Sequence, residues 1–225
     1  KEFDARLAVD STFATPMATQ PLKLGADFVV HSLTKYIGGH GDAVGGAVLG
    51  QQEDIAEIRR KIGIRMGGVI SPFNAWLILR GMATLPIRMN AHESAALQVA
   101  QYLEDHAAIS RVTYPGLESH PQHALARQQM ANFSGVLTFQ TEHHAALPKV
   151  FSDRLQIVHY AVSLGHHRSL IFYIPTDEIL ATSFSLTERQ EANYREFAGE
   201  AIFRLSVGIE ADICADLDQA LAVVS

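Results

Sequence analysis

At 225 residues the chain is long enough to bury a substantial core, in one large domain or two smaller ones. Hydrophobic residues make up 48% of it, and 18 Lys plus Arg against 24 Asp plus Glu leave a net charge of −6, a balance that argues against a disordered chain, a nucleic-acid binder or an anionic-membrane binder. The apolar runs are too short to span a bilayer, no charged-then-apolar leader is present, and the single cysteine, Cys214, permits no internal disulfide, so the expectation is a soluble, cytoplasmic protein.

The chain opens without an initiator methionine and reaches an apolar strand at residues 7–10 almost at once, so it reads as starting inside a domain with N-terminal sequence missing. Residues 28–32 and 43–49 are further short strands. Residues 11–27 are long enough for a parallel crossover. In an open parallel sheet, ligands collect outside the carboxyl ends of the strands, and Asp10 and Ser32 occupy such ends. Residues 55–65 read as helical, Ser71-Pro72 as a helix start and Gly81 as a kink or break, which places the domain boundary between residues 1–80 and 81–225. An amphipathic run follows over 85–103.

Downstream, residues 112–115, 135–139, 157–162 and 202–209 read as strands, and 123–130, 145–151 and 211–224 as helices. Residues 171–195 mix an apolar stretch, a turn at 175–178 and a polar, helix-like 187–194. The whole predicts α/β architecture in two units, each with its own core.

The most informative stretch runs from Phe28 to Asp42. It sets Lys35 at a strand exit, behind the hydroxyls of Ser32 and Thr34 and before Gly38-Gly39-His40-Gly41. Withdrawal from water favours the neutral, nucleophilic form of an amine, and the hydroxyls suit a phosphate. Asp10 can pair with a heteroaromatic cation. Together the four describe a pyridoxal phosphate (PLP) site, in which a carboxylate keeps the pyridine nitrogen protonated and a lysine holds the aldehyde. Each has a plainer role open to it: a solvated lysine, a turn or cap at Asp10-Ser11-Thr12, hydroxyls that close backbone groups. Their conjunction is what favours the site.

In the strand over 202–209, Phe203, Leu205, Val207 and Ile209 share one face, leaving Arg204 and Ser206 on the other. The guanidinium fork of Arg204 suits a bidentate carboxylate, either on a substrate or within the protein. The pairs His143-His144 and His166-His167 lack the spacing that puts two ligands on one helical face, so they are expected to be solvated and no metal site is expected. His40 either orients the site or closes the glycine turn. Asn132-Phe133-Ser134 matches a glycosylation acceptor by chance. Cys214 reads as a small buried hydrophobe in the closing helix.

These residues bring a resemblance into view. The stretches AVDSTFATP, QPLKLGADFVVHSLTKYIGGHGDAVGGAVLG, SPFNAWLILRGMATLPIRM, TYPGLESHPQH, AVSLG and RLSVGIE, in that order, resemble the Cys/Met metabolism (trans-sulfuration) family of PLP-dependent enzymes, which includes methionine γ-lyase, cystathionine γ-synthase and γ-lyase, and O-acetylhomoserine sulfhydrylase. The resemblance implies PLP fold type I, with residues 1–80 the C-terminal part of the PLP-binding large domain and 81–225 the smaller C-terminal α/β domain. It implies that Lys35 binds the cofactor covalently and moves protons on the substrate, that Asp10 contacts the pyridine nitrogen, and that Ser32 and Thr34 contact the phosphate. Ser163 and Arg204 would hold the substrate α-carboxylate.

The implied assembly is a homotetramer, a dimer of dimers with shared active sites. The implied activity is γ-elimination from methionine or a related sulfur amino acid. The alternatives are γ-replacement and a non-catalytic truncated homologue. Three departures stand out. The chain matches only about the C-terminal half of a family member; Ser11 replaces the usual Asn; and residues 172–183 replace a stretch that helps wall the substrate site in relatives.

Overall fold

Short, nearly continuous apolar runs start the chain as a three-stranded sheet: β1 (Ala8–Asp10), β2 (Phe28–Ser32) and β3 (Gly46–Gly50), in the order β1-β2-β3. The computed structural model describes residues 3–182 and 185–224, and the chain divides into two compact units, residues 1–90 with 127–134 and residues 91–126 with 135–225. In the first unit β1 and β2 run parallel, joined through a single helical turn, α1 (Thr15–Ala18), and a tight turn that closes on Gly25 at φ 99°. β3 runs antiparallel to β2, with Ser32 opposite Gly46, so the sheet is mixed and not all-parallel. The connection from Leu33 to Gly45 contains no helix that could carry the chain back to the starting edge, and a direct return gives an antiparallel neighbour.

The period-2 pattern divides β2 into two faces. Val29 and His31 are buried on one, while Phe28, Val30 and Ser32 share the other with Asp10, whose register partner is Val30. The helix read over 55–65 starts earlier as α2 (Gln52–Ile58) and loosens into wide turns through Ile64. The next helix, α3 (Pro72–Met82), starts where Ser71 caps the Asn74 N–H at 3.2 Å and Pro72 takes the first turn. Gly81 lies inside α3 because backbone passes against it: a Cβ there would be 2.1 Å from the Gly38 carbonyl oxygen. No break occurs at Gly81, and the two units part within the following helix, α4 (Leu85–Glu104).

The second unit carries a five-stranded sheet in the order β4-β5-β8-β7-β6, built from β4 (Arg111–Thr113), β5 (Val136–Gln140), β6 (His159–Tyr160), β7 (Leu170–Pro175) and β8 (Ala201–Ser206). All neighbours are antiparallel except β6 and β7. The strand read over 157–162 shrinks to two residues, and the apolar part of the unassigned segment becomes β7. Helices α5 (His123–Gln129), α6 (Leu147–Arg154), α7 (Thr176–Leu180), α8 (Glu188–Ala198) and α9 (Ile213–Leu221) complete the order. The turn read at 175–178 is the start of α7, with Pro175 as its extended N-cap residue. α8 opens on a capping box between Thr187 and Gln190. Ser183, the last residue of the departing stretch, lies outside the described residues.

The core of this unit is aromatic. Phe203 stacks on Phe139 at 5.1 Å between ring centroids and meets Phe151 edge-on at 5.3 Å, all three fully buried. α9 closes it with Ile213, Leu217, Ala220 and Leu221.

Candidate active site

In the first unit the site is built at the carboxyl ends of β1 and β2. Asp10 ends β1 with its carboxylate Oδ1 accepting the Thr12 backbone N–H at 2.9 Å. The Thr12 hydroxyl hydrogen-bonds the same carboxylate, and these two bonds, the hydroxyl foremost, hold the Asp10 carboxyl below its ordinary value. Thr12 also accepts the Ser32 backbone N–H at 2.8 Å, so one buried hydroxyl ties the two strand ends together. Asp10 and Ser32 line the same cavity of about 480 Å³ with Val9, Ser11, Thr12, Phe13, Ala14 and Thr19. Ser11, the residue that departs from the family pattern, shares a 3.2 Å hydrogen bond with the Thr19 hydroxyl.

Beyond Ser32 the chain enters a wide, π-type turn over Leu33–Ile37, and at Lys35 the backbone leaves helical geometry (φ −88°, ψ −136°). Lys35 is half-buried between strand β2 and the fully buried Tyr36 and Ile37. The turn is held by Gly38 N–H to the Leu33 carbonyl at 2.9 Å and Gly39 N–H to the Lys35 carbonyl at 2.7 Å. Thr34 faces a different task from Ser32. Its hydroxyl donates to the Gly45 carbonyl at 3.3 Å and accepts the Gly45 N–H at 3.1 Å, so its hydrogen serves the backbone of the returning chain. His40 is exposed and donates from Nδ1 to the Gly38 carbonyl at 2.7 Å, a contact that closes the glycine turn.

A second cluster lies in the second unit. Arg204 projects from β8 on the face it shares with its register partners Thr138 and Phe172, opposite the buried Phe203 and Leu205. Its Nη2 donates to the carbonyls of Val162 and Ser163, the latter at 3.3 Å. Burial holds the guanidinium below its ordinary value, and its buried Nε has no hydrogen-bond partner among the described residues. Ser206, two residues on, is fully buried and accepts the Gly165 N–H at 2.9 Å. Arg204 and Ser206 thus pin the loop that carries Ser163, whose hydroxyl lies 3.4 Å from His166 Nε2.

Sequence reasoning missed Thr12, the Ser169–Glu210 pair and Arg88. Ser169 N–H and hydroxyl both donate to Glu210, at 2.7 and 2.9 Å, and the Ser169 hydroxyl accepts the Gly208 N–H at 2.8 Å, which fixes the end of the RLSVGIE stretch. Arg88 was legible as a charge in helical period with the buried Leu85 and Met89. The expectation of solvated histidine pairs needs correction at His144, whose Nδ1 is 2.9 Å from the Tyr173 hydroxyl with the two rings stacked at 6.2 Å. Cys214 is half-buried, and burial pushes its thiol up.

The donor set fits PLP. A carboxylate held ionised suits a pyridinium nitrogen, it shares a cavity with a serine hydroxyl, and a half-buried lysine follows three residues later.

The comparisons with known proteins agree with that chemistry. Residues 1–222 match the family described as Cys/Met metabolism PLP-dependent enzyme. The chain is 41% identical to a canavanine gamma-lyase of Rhizobium leguminosarum bv. trifolii (strain WSM2304), over 98% of this chain and 54% of that protein. It is 42% identical to an L-methionine gamma-lyase of Fusobacterium nucleatum subsp. polymorphum, over 95% and 53%. A solved structure of cystathionine gamma synthase from Xanthomonas oryzae pv. oryzae, in complex with cystathionine, superposes with a TM-score of 0.85 at 37% identity, covering 98% of this chain and 56% of that one. The chain therefore spans about half the length of the curated relatives it matches. Its fold is the type I fold of these PLP enzymes, and the chain belongs to the Cys/Met metabolism family of PLP-dependent enzymes.

Proposed function

We propose that the chain carries the lysine-bearing part of a PLP-dependent carbon–sulfur lyase that performs γ-elimination on methionine or a related sulfur amino acid, giving a 2-oxo acid, ammonia and a thiol. The observation that carries this reading is the joint placement of Asp10 and Ser32 on one cavity, with Lys35 in the turn that leaves β2. Bound PLP supplies an electron sink conjugated to the substrate's amine. Asp10, ionised, holds the proton on the pyridine nitrogen. Ser32 donates to the phosphate, with Thr34 beside it. Lys35 would hold the cofactor through Nζ and, once the substrate's amine has taken its place there, its freed amine would take the proton from substrate Cα, hand that proton on, and then take one from Cβ so that the γ-substituent could leave. Ser163 and Arg204 receive the substrate α-carboxylate, a role supported by the Nε of Arg204, which has no hydrogen-bond partner among the described residues.

The domain division belongs to the same reading, with the cofactor residues in the first unit and the carboxylate pair in the second. So does a cytoplasmic homotetramer. Phe73, Trp76 and Leu79 are exposed along α3, an apolar stripe that supports burial of this helix in an assembly. A second reading, γ-replacement, is supported by the likeness to cystathionine gamma synthase. The test is the full-length protein with PLP and methionine, with and without an added thiol. Formation of 2-oxo acid and free thiol without the nucleophile is expected. Product only in its presence would favour replacement, and PLP bound with no product in either case would mark a non-catalytic homologue. A Lys35→Ala protein that kept borohydride-trapped PLP and full turnover would sink both catalytic readings.

A further inference from the structure

Arg88 is a guanidinium with only 6% of its surface exposed, and among the described residues its partners include no carboxylate. Its Nη1 donates to the Tyr36 carbonyl at 2.8 Å, its Nη2 to the Ile37 carbonyl at 3.3 Å and the Gly81 carbonyl at 2.9 Å, and its Nε to the Thr84 hydroxyl at 3.0 Å. Tyr36 and Ile37 are the two residues directly after Lys35. Their carbonyls lie in the wide turn, where regular helical pairing is interrupted at Lys35 itself. Burying a cation with neutral acceptors alone is costly, and an apolar side chain would fill the space without that cost.

The surroundings leave room for this fork and nothing larger. Gly39 sits at φ 74°, and a Cβ there would lie 2.0 Å from Arg88 Nη1. Gly81, whose carbonyl completes the set, packs directly on the Gly38 carbonyl. One planar group therefore fastens the turn after Lys35 to the end of α3 and the start of α4. Lysine could not replace it: an ammonium on a flexible stem cannot present four directed donors to acceptors spread across two segments.

We propose that Arg88 is a positioning residue for Lys35, holding the wide turn in the one conformation that directs the Lys35 amine toward the cofactor. The assignment rests on the reading of Lys35 given above, and its test separates the two. Arg88→Lys and the milder Thr84→Val, which removes the acceptor that orients Nε, are made in the full-length protein. Two quantities are measured: amide hydrogen exchange of the 33–39 peptide without PLP, against β5 as internal reference, and the rate at which added PLP is captured on Lys35 by borohydride.

In Arg88→Lys, exchange over 33–39 is expected to speed up about tenfold with β5 unchanged, and capture to slow about tenfold; Thr84→Val moves both the same way by roughly threefold. If Arg88→Lys does not fold, Thr84→Val decides by the same two readouts. A merely structural role predicts a lower Tm with equal exchange gains in both regions and capture within about twofold of the parent, and that result overturns the proposal. Capture persisting in Lys35→Ala would instead defeat the reading of Lys35 and leave the exchange result standing.

Discussion

Thr12 joins Ser32 across the first sheet: its hydroxyl oxygen accepts the Ser32 backbone N–H at 2.8 Å while its hydrogen goes to the Asp10 carboxylate. Thr12→Val keeps the shape and removes both bonds. The Asp10 carboxyl then rises toward its ordinary value and the Ser32 N–H loses its acceptor, a loss worth about 1–3 kcal/mol of stability. Asp10 stays ionised at neutral pH, so on the proposed role PLP affinity, read by fluorescence titration, is expected to weaken by roughly threefold to tenfold through loss of the bond that aims the carboxylate.

Gly81 tolerates no side chain where it touches Gly38. Gly81→Ala is expected to cost about 1–3 kcal/mol in urea unfolding, because the 2.1 Å approach can be relieved only by moving backbone. Gly68→Ala, with nothing within 4 Å of the added carbon, serves as the control and should stay within about 0.5 kcal/mol of the parent.

Asp216 in α9 is 6% exposed, and burial alone would raise its carboxyl. The backbone N–H groups of Gln156, Ile157 and Val158, at 2.8–2.9 Å, together with Gln219, outweigh that and hold it below the ordinary carboxylate value. A depressed folded value means the stabilisation is present above the unfolded carboxylate's range and is lost as pH falls through the folded one. Asp216→Asn is expected to lower stability by about 1.5–3 kcal/mol at neutral pH. Thermal melts taken downward from pH 6 should show the gap between parent and variant closing in the acid range.

Arg204→Lys retains the charge and loses the fork. The Val162 and Ser163 carbonyls lose their shared donor, and on the proposed role a substrate carboxylate loses its bidentate partner. Steady-state kinetics are expected to show KM for the amino acid raised roughly tenfold or more, with PLP affinity unchanged; an unaltered KM would remove Arg204 from carboxylate binding.

The parts of this fold that were readable in sequence are those written in local periodicity. β2 and β8 alternate cleanly, and Ser71-Pro72 marks the start of α3 through its own hydroxyl and ring. What escaped reading depends on distant partners. Gly81 looked like a break because its reason, the Gly38 carbonyl, lies 43 positions away in sequence. β7 went unassigned because its apolar run carries no period of its own, and the turn residues that end it, Pro175-Thr176-Asp177-Glu178, start a helix instead of a loop. Within the candidate site, Lys35, Asp10 and Ser32 are the residues whose type and place at strand ends single them out in the sequence. Thr12 accepts a backbone N–H and Arg88 donates to backbone carbonyls, and neither kind of partner leaves a trace in residue type.

The bare contact between Gly38 and Gly81 also constrains how this family can be recombined. In chimeras that exchange segments between relatives, the parent that supplies position 81 is expected to give folded protein only when it brings glycine there, because a side chain would meet the position-38 carbonyl, a group every residue carries. A chimera library scored for expression should therefore show the glycine requirement at position 81 irrespective of which parent supplies position 38.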